Sequence, residues 1–373
     1  MSLTFTPEHE ELRQTVRRFL AEKSPITAVR KTMTTDAGFD DAVWSQMAEQ
    51  IGLQGLIVPE AHGGAGMGAA ELAIVMEEMG RVLLCAPFLS TVLATQALLL
   101  AGSDAAQKDL LPGIAAGTTR ATLAYVEPGG DWEPSAAKTT AKQDGSDWKL
   151  DGEKAFVLDG HTADVLLVTA RTSDGLSLFR VDAGAPGVER TALPTLDLTR
   201  KLANVSLKGA RATRIGAAGD VTPAIERAVQ WAIAALAAEQ AGGAQRCLET
   251  ATDYAKTRLQ FGRPIGSFQA IKHRCADMLV STEFAKSAAY GAAAALGEDG
   301  AAADEAVAIA KSYCSEAFFQ AAGDNIQIHG GMGFTWEMAP HYLLKRAWVL
   351  EHAFGAGDAH ALALGAAIED GLA

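Results

Sequence analysis

Cysteine is scarce in this chain, and its few instances are scattered. Cys85, Cys247, Cys275 and Cys314 are the four present, and no two stand in a C-x-x-C arrangement. That spacing excludes a zinc ribbon and a disulfide framework, and fits separate buried thiols in a reducing compartment. Positive charge is also in deficit. Lysine and arginine number 32 against 45 aspartate and glutamate, a formal net charge of -13, which argues against nucleic acid or an anionic membrane as partner. A few local cations still suffice to hold a phosphate. Met1-Ser2-Leu3-Thr4 lacks a basic region followed by an apolar run, so the sequence predicts no signal peptide and a cytoplasmic protein. One stretch, Val82 to Gly102, is uncharged over about the length of a membrane span. Its Pro87, Ser90, Thr91, Thr95 and Gln96, and the missing basic flank on its C-terminal side, predict a buried core helix and no membrane span.

Several catalytic signatures are missing as well. There is no Walker A element and no G-x-G-x-x-G turn. Gly330-Gly331-Met332-Gly333 is glycine-rich, but a helical pattern precedes it where a dinucleotide turn needs a strand. No G-x-S-x-G elbow is present. His273, His329, His341 and His352 show no metal-ligand spacing and read as core or surface histidines. Internal repeats and low-complexity tails are absent too.

What is present is enough for a large core: 373 residues, 49% of them apolar, which predicts two or three ordered domains. Thr6-Pro7-Glu8 opens a helix with a cap, a first-turn proline and an acid at the dipole. Leu12, Val16, Phe19 and Leu20 share one helical face. Val43, Trp44, Met47 and Ile51 mark a second amphipathic helix, closed at Gly52, and helices continue to about Gly117. From Thr122 the pattern alternates in short runs at Leu123–Val126, Trp148–Leu150, Ala163–Ala170 and Ser177–Val181. Asp151-Gly152 reads as a hairpin turn. A small β-barrel or sandwich is predicted to about residue 215. From Thr222-Pro223 helices return, at Ile225–Ala238, Leu248–Arg258, Ala270–Leu296, Asp304–Gln327 and Tyr342–His352, as a bundle. The predicted fold class is α+β, mostly α, with domains at 1–117, 118–217 and 218–373.

Two stretches in the bundle carry chemistry. The first runs from Arg258 to Gln269, where Gly262, Pro264 and Gly266 break the helical period. Its bland reading is a helix–helix corner with a solvated arginine. Its functional reading has Arg258 gripping a phosphate with its planar fork of donors. Phe261 and Phe268 then wall an adenine, and Gln269 bonds its edge or a ribose. The second is Gln327-Ile328-His329-Gly330-Gly331-Met332-Gly333-Phe334, where Gly-Gly ends a helical pattern and lets backbone approach a ligand closely.

Together these stretches resemble R-x-x-F-G-x-x-[IL]-x-x-x-Q and Q-x-x-G-G-x-G-[FY], the hallmarks of the acyl-CoA dehydrogenase family, and the resemblance covers nearly the whole chain. It implies a helical N-terminal domain, a middle β-barrel domain and a C-terminal four-helix bundle, with bound FAD and desaturation of acyl-CoA thioesters. It places Arg258, Phe261, Ile265, Phe268, Gln269, Gln327, Gly330 and Gly331 at FAD-contacting positions, reaching the adenine half of a flavin that lies mainly on a neighbouring subunit. The loop Pro59-Glu60-Ala61-His62-Gly63-Gly64 resembles the family's structural P-E-x-x-G-G.

The rest of the family's site is depleted. Its T-E-P-x-A-G-S-D loop, which holds the flavin ring, is here Val126-Glu127-Pro128-Gly129-Gly130-Asp131-Trp132-Glu133. Its W-I-T strand is Phe156-Val157-Leu158. Its usual glutamate base falls at Phe354 and the alternative one at Ala232, and neither side chain takes a proton. The nearest acids are Glu239, Glu351 and Asp358. The chain therefore reads as a base-less subunit like those of the α2β2 steroid-type enzymes, partnered by a second acyl-CoA dehydrogenase-like subunit that carries the glutamate, and by an electron-transfer acceptor. Two alternatives are a self-sufficient homo-oligomer with a displaced carboxylate, and a CoA-ester binding protein without redox activity.

Overall fold

The computed structural model describes residues 5–216, 219–297 and 301–372. In chain order its elements are α1 (Pro7–Lys23), α2 (Ile26–Thr32), α3 (Asp41–Ile51), α4 (Ala69–Val82), α5 (Phe88–Ala101), α6 (Asp104–Ala115), β1 (Ala121–Ala124), β2 (Thr140–Asp144), β3 (Asp147–Leu158), β4 (Val165–Thr172), β5 (Gly175–Asp182), β6 (Val188–Ala192) and β7 (Leu202–Arg214). There follow α7 (Thr222–Thr257), β8 (Leu259–Gln260), β9 (Arg263–Pro264), α8 (Gln269–Leu296), α9 (Ala301–His329), α10 (Pro340–His352) and α11 (Gly357–Leu372). They form two compact units. One takes the chain up to Arg30, Ala69–Leu84 and everything from Ile233; the other takes Lys31–Gly68 and Cys85–Ala232.

In the second unit the sheet closes on itself. Strands β4, β2, β3, β7 and β5 pair in turn and β5 returns to β4, with β1 parallel to β4 and β6 antiparallel to β7 on the outside. This is the expected small barrel, mixed in direction because β1 and β2 both run parallel to β4. Burial alternates along β7, and Leu150, Val157, Leu166, Phe179, Val205 and Leu207 fill the interior, as the period-two rule requires.

The hairpin turn expected at Asp151-Gly152 is elsewhere. Both residues lie inside β3, and the turn from β2 to β3 is Gly145-Ser146. The register against β7 shifts between Leu150 and Asp151 because β7 carries one extra residue there, Gly209, whose amide donates to the Asp151 carboxylate at 2.8 Å. There a Cβ on Gly152 would stand 2.5 Å from the Thr139 hydroxyl. An Asp-Gly dipeptide serves a turn or a close approach between strands equally well.

Val82–Gly102 is not one helix. Leu83 takes φ of 53° and Pro87 precedes a fresh start at α5, which is buried almost throughout. Among the described residues no helix is long and apolar enough to cross a membrane.

The helices expected at Ile225–Ala238 and Leu248–Arg258 are one 36-residue helix, α7. It runs through Gly242 and Gly243, whose lack of side chains serves packing. A Cβ on Gly242 would lie 1.9 Å from the Glu77 carbonyl oxygen, and one on Gly243 2.4 Å from the Phe318 ring. Helices α4 and α7 therefore cross with backbones in contact. In the same unit α9 packs against α8, α10 and α11. The buried Lys311 ammonium donates to the Leu350 and Glu351 carbonyls at 2.7 and 2.8 Å, satisfying the last turn of α10, where carbonyls otherwise go unpaired.

Candidate functional site

The Arg258 stretch folds as a miniature hairpin, β8 against β9. Phe261 and Gly262 form its two-residue turn with φ of 55° and 77°, the doubly left-handed geometry that suits a tight hairpin. Glycine takes that conformation freely; a phenylalanine there is strained. The hairpin is tied down at its base. The Ile265 amide donates to the Arg258 carbonyl at 2.9 Å, and the Arg258 amide donates to Tyr254 at 2.8 Å. Gly266 sits against α7, where a Cβ would meet the Ala255 carbonyl oxygen at 2.9 Å.

This frame turns the functional side chains outward. Arg258 is exposed, and its guanidinium has no partner among the described residues. Phe261 is 90% exposed. Its ring meets Phe268 edge-on at 6.0 Å, and Arg263 covers the Phe268 ring at 4.2 Å. Gln269 opens α8 and bonds His273 at 3.0 Å. The part-buried Ile265 begins the short turn that leads to it.

The second stretch arrives beside the first. Helix α9 ends at His329, and Gly330 reverses the chain with φ of 60°. The imidazole of His329 is fixed by a 2.8 Å bond to the Asn325 carbonyl and stacks on Tyr254 at 4.2 Å and 23°. Burial holds the His329 ring below the usual histidine pKa, so it is neutral there. Tyr254 lies one turn before Arg258, and His329 lies next to Gly330. Their stack brings the two turns together. Neither residue stands out in sequence, since a tyrosine and a histidine at helix ends have many bland uses. Gln327, Gly330 and Gly331 are all exposed, and nothing in the chain lies within 4 Å of a Cβ placed on Gly330 or Gly331. Gly330 needs its freedom for φ. Gly331 has no such need, and the open space above it faces out of the chain.

The barrel carries the loop Val126–Glu133 and the strand segment Phe156–Leu158. Glu127 anchors the loop. Its carboxylate accepts from the buried Lys154 ammonium at 2.8 Å, from the Lys138 and Thr139 amides, and from the Thr139 hydroxyl. Burial alone would raise its pKa, but the Lys154 charge and these bonds outweigh it and hold the carboxyl below the usual range. Burial lowers Lys154 to about 8 against the pull of Glu127.

The positions where a base would be looked for are apolar. Ala232 is fully buried on α7, and Phe354 is 4% exposed. Phe354 and Gly355 turn the chain between α10 and α11 with φ of 59° and 92°. Of the acids, Glu239 is 2% exposed and ion-paired to Arg346, itself 1% exposed. Asp358 is exposed and bonds the Ala359 amide at the start of α11. Glu351 is part-exposed at the end of α10. Among the described residues no group of three or more His, Cys, Asp or Glu side chains is arranged to hold a metal ion.

Three family models cover the chain: acyl-CoA dehydrogenase N-terminal domain over residues 6–118, middle domain over 122–208 and C-terminal domain over 222–369. Among curated proteins the chain is 36% identical over 345 residues to the acyl-CoA dehydrogenase IpdE2 of Mycobacterium tuberculosis, covering 92% of each. Among solved structures it is similar to the Tcur3481-Tcur3483 steroid ACAD G363A variant, with a TM-score of 0.88, 33% identity and 98% of each chain covered. It is also similar to the ChsE4-ChsE5 complex of Mycobacterium tuberculosis, with a TM-score of 0.90, 29% identity and 99% of each covered.

Proposed function

The chain belongs to the acyl-CoA dehydrogenase family, and from that premise we propose that it is the base-less subunit of a mixed enzyme. The reaction is α,β-desaturation of an acyl-CoA thioester. This chain lends the adenine half of the FAD site to a second acyl-CoA dehydrogenase-like subunit, which supplies the glutamate and the pocket for the flavin ring. The observation that carries the reading is one chain holding both an assembled, outward-facing adenine cradle and buried apolar side chains at Phe354 and Ala232.

The cradle suits the adenine end of FAD. Arg258 offers free donors to a pyrophosphate. Phe261 and Phe268 present apolar edges to a purine, with Ile265 beneath the turn, and Gln269 and Gln327 supply polar contacts. Gly330 and Gly331 leave room for backbone amides to approach. When bound, FAD supplies the acceptor for the hydride from the β carbon. The proton on the α carbon needs a carboxylate, and the two positions where the family places one are Phe354 and Ala232 here. Glu239 is engaged in a buried ion pair, and Asp358 accepts from the Ala359 amide in the first turn of α11.

The exposed apolar side chains around the cradle support a partner there. Phe261, Leu259 and Phe334 are 90%, 61% and 68% exposed, a display that marks an interaction surface. Similarity to a two-component steroid enzyme and to the ChsE4-ChsE5 complex supports a heteromer and a steroid-derived acyl group. In the same reading the domains meet near residues 117 and 217, an electron-transfer protein reoxidises the flavin, and the protein is cytoplasmic, in keeping with its four free cysteines.

The test is to purify the chain alone and together with a partner subunit, then measure flavin absorbance and turnover of a panel of acyl-CoAs with an artificial acceptor. Alone, the chain is expected to be colourless and inactive, since a missing general base costs roughly 10²–10⁴-fold. With the partner, one FAD per mixed pair and turnover are expected. A yellow, fully loaded and active lone chain refutes the reading and makes it a self-sufficient enzyme.

A further inference from the structure

The loop and strand of the barrel meet through their own aromatic side chains. In β3 the register against β7 slips between Lys154 and Val157. Val157 points into the barrel core, while Phe156, at φ of 53°, is thrown outward and left 40% exposed. A bulky residue in the left-handed region is strained, and a bulge commonly re-aims a side chain. What Phe156 meets is Trp132, near-parallel at 24° with ring centroids 6.4 Å apart. Trp132 also lies against Tyr125, at 6.4 Å and 59°.

The segment that brings Trp132 there turns on two glycines and is tied at both ends. Gly129 and Gly130 have φ of 119° and 76° with nothing near their Cβ positions. The Glu133 amide is pinned to Asp131 at 3.0 Å, and Glu127 ties the loop's start to Lys138 and Thr139. Tyr125 is 4% exposed, and its hydroxyl is buried with no hydrogen-bond partner among the described residues. A buried orphan hydroxyl costs free energy. The Tyr125 ring lies beside the Trp132 indole, and a ring bearing acceptor atoms in the indole's place could give the hydroxyl a partner.

The geometry points to Trp132 as an internal plug: its indole takes the place of a planar heteroaromatic ring beside Tyr125 and Phe156, so this chain's barrel is closed to a flavin ring of its own. This rests on the proposed half-site role, because it is there that the loop and strand correspond to a ring pocket. It explains why the chain would serve only the partner's flavin. The barrier is then a filled slot as well as a missing hydroxyl.

Riboflavin tests this, because it carries the ring and lacks both the pyrophosphate that Arg258 would hold and the adenine beyond it. The full chain and Trp132→Ala are titrated with riboflavin while its fluorescence is followed. Wild type is expected to give no saturable quenching. Trp132→Ala is expected to bind at least about tenfold more tightly, the order of removing one aromatic plug from contact with two rings. Equal riboflavin affinity in both proteins, whether measurable or nil, overturns the plug. Should Trp132→Ala fail to fold, Trp132→Leu, which keeps apolar bulk in the loop, decides in the same way. Flavin stoichiometry of the mixed enzyme scores the half-site role separately, so the two ideas can fail independently.

Discussion

Glu239 offers the sharpest division between a structural and a catalytic carboxylate. It lies on α7 at 2% exposure, hydrogen-bonded to the guanidinium of Arg346 on α10, which is 1% exposed. If the pair is structural, Glu239→Gln removes the carboxylate from a buried ion pair, at a cost of up to about 3–5 kcal/mol. A chain of this length unfolds with an entropy of roughly 0.8 kcal/mol per kelvin. The melting midpoint should therefore fall by up to about 4–6 °C if the chain unfolds cooperatively. Glu239→Leu combined with Arg346→Met removes both charges and should recover most of that loss. Turnover of the mixed enzyme, assayed well below the lowered midpoint, should stay within a few-fold of wild type. The measurements are a thermal melt and a steady-state assay on the same preparations. A loss of roughly a hundredfold or more in kcat with an unmoved midpoint would refute this reasoning and make Glu239 the displaced base.

Arg258→Ala should weaken FAD retention roughly tenfold to a hundredfold, the worth of a charge-assisted bond, with the melting midpoint unmoved; flavin content after dialysis reads it. Gly331→Ala meets open space in the chain, so it should change folding stability by less than about 0.5 kcal/mol yet lower FAD retention in the mixed enzyme. Gly330→Ala, at φ of 60°, should in addition cost about 1–2 kcal/mol of fold stability. Burial lowers Lys311 to about 7 against the pull of Glu351. Above that pH the folded chain holds it neutral while the unfolded chain still binds the proton. Its contribution to stability therefore rises with pH from about 7 up to the usual lysine range, by up to about 1.4 kcal/mol per unit. Below about 7 this group adds no pH dependence. Urea melts of wild type and Lys311→Met across that window should differ in slope, and identical slopes would remove Lys311 from the account.

Where a feature was legible in the sequence, its cause was local. Thr6-Pro7 starts α1 because capping and a first-turn proline act within one turn, and His9 completes the box. Gly52 ends α3 because it can turn left-handed. The break at Gly262, Pro264 and Gly266 was legible as a turn, and Gly330-Gly331 as a helix end, for the same reason.

The misreadings arose where one residue type serves two ends. Gly242-Gly243 weakens a helix in isolation, and only the Glu77 backbone and the Phe318 ring pressing on α7 show why glycine stands there. Asp151-Gly152 has the composition of a turn, and only the neighbouring Thr139, which leaves no room for a Cβ on Gly152, shows why the pair stands inside a strand.

The site divides along the same line. Residue type and spacing alone carried the resemblance to the family, the order of helical and β segments, the chain breaks at Arg258–Gln269 and Gln327–Phe334, and the lack of an acid at Phe354 and Ala232. These follow from short motifs whose chemistry is carried by neighbours in the chain. Tertiary structure decided the rest. It joined the turns at Phe261-Gly262 and Gly330 through the Tyr254–His329 stack, committed Glu239 to Arg346, and laid Trp132 on Phe156. Each of those contacts joins residues well apart in the chain. Such a contact depends on how elements pack, which the periodicity of a single strand or helix does not encode.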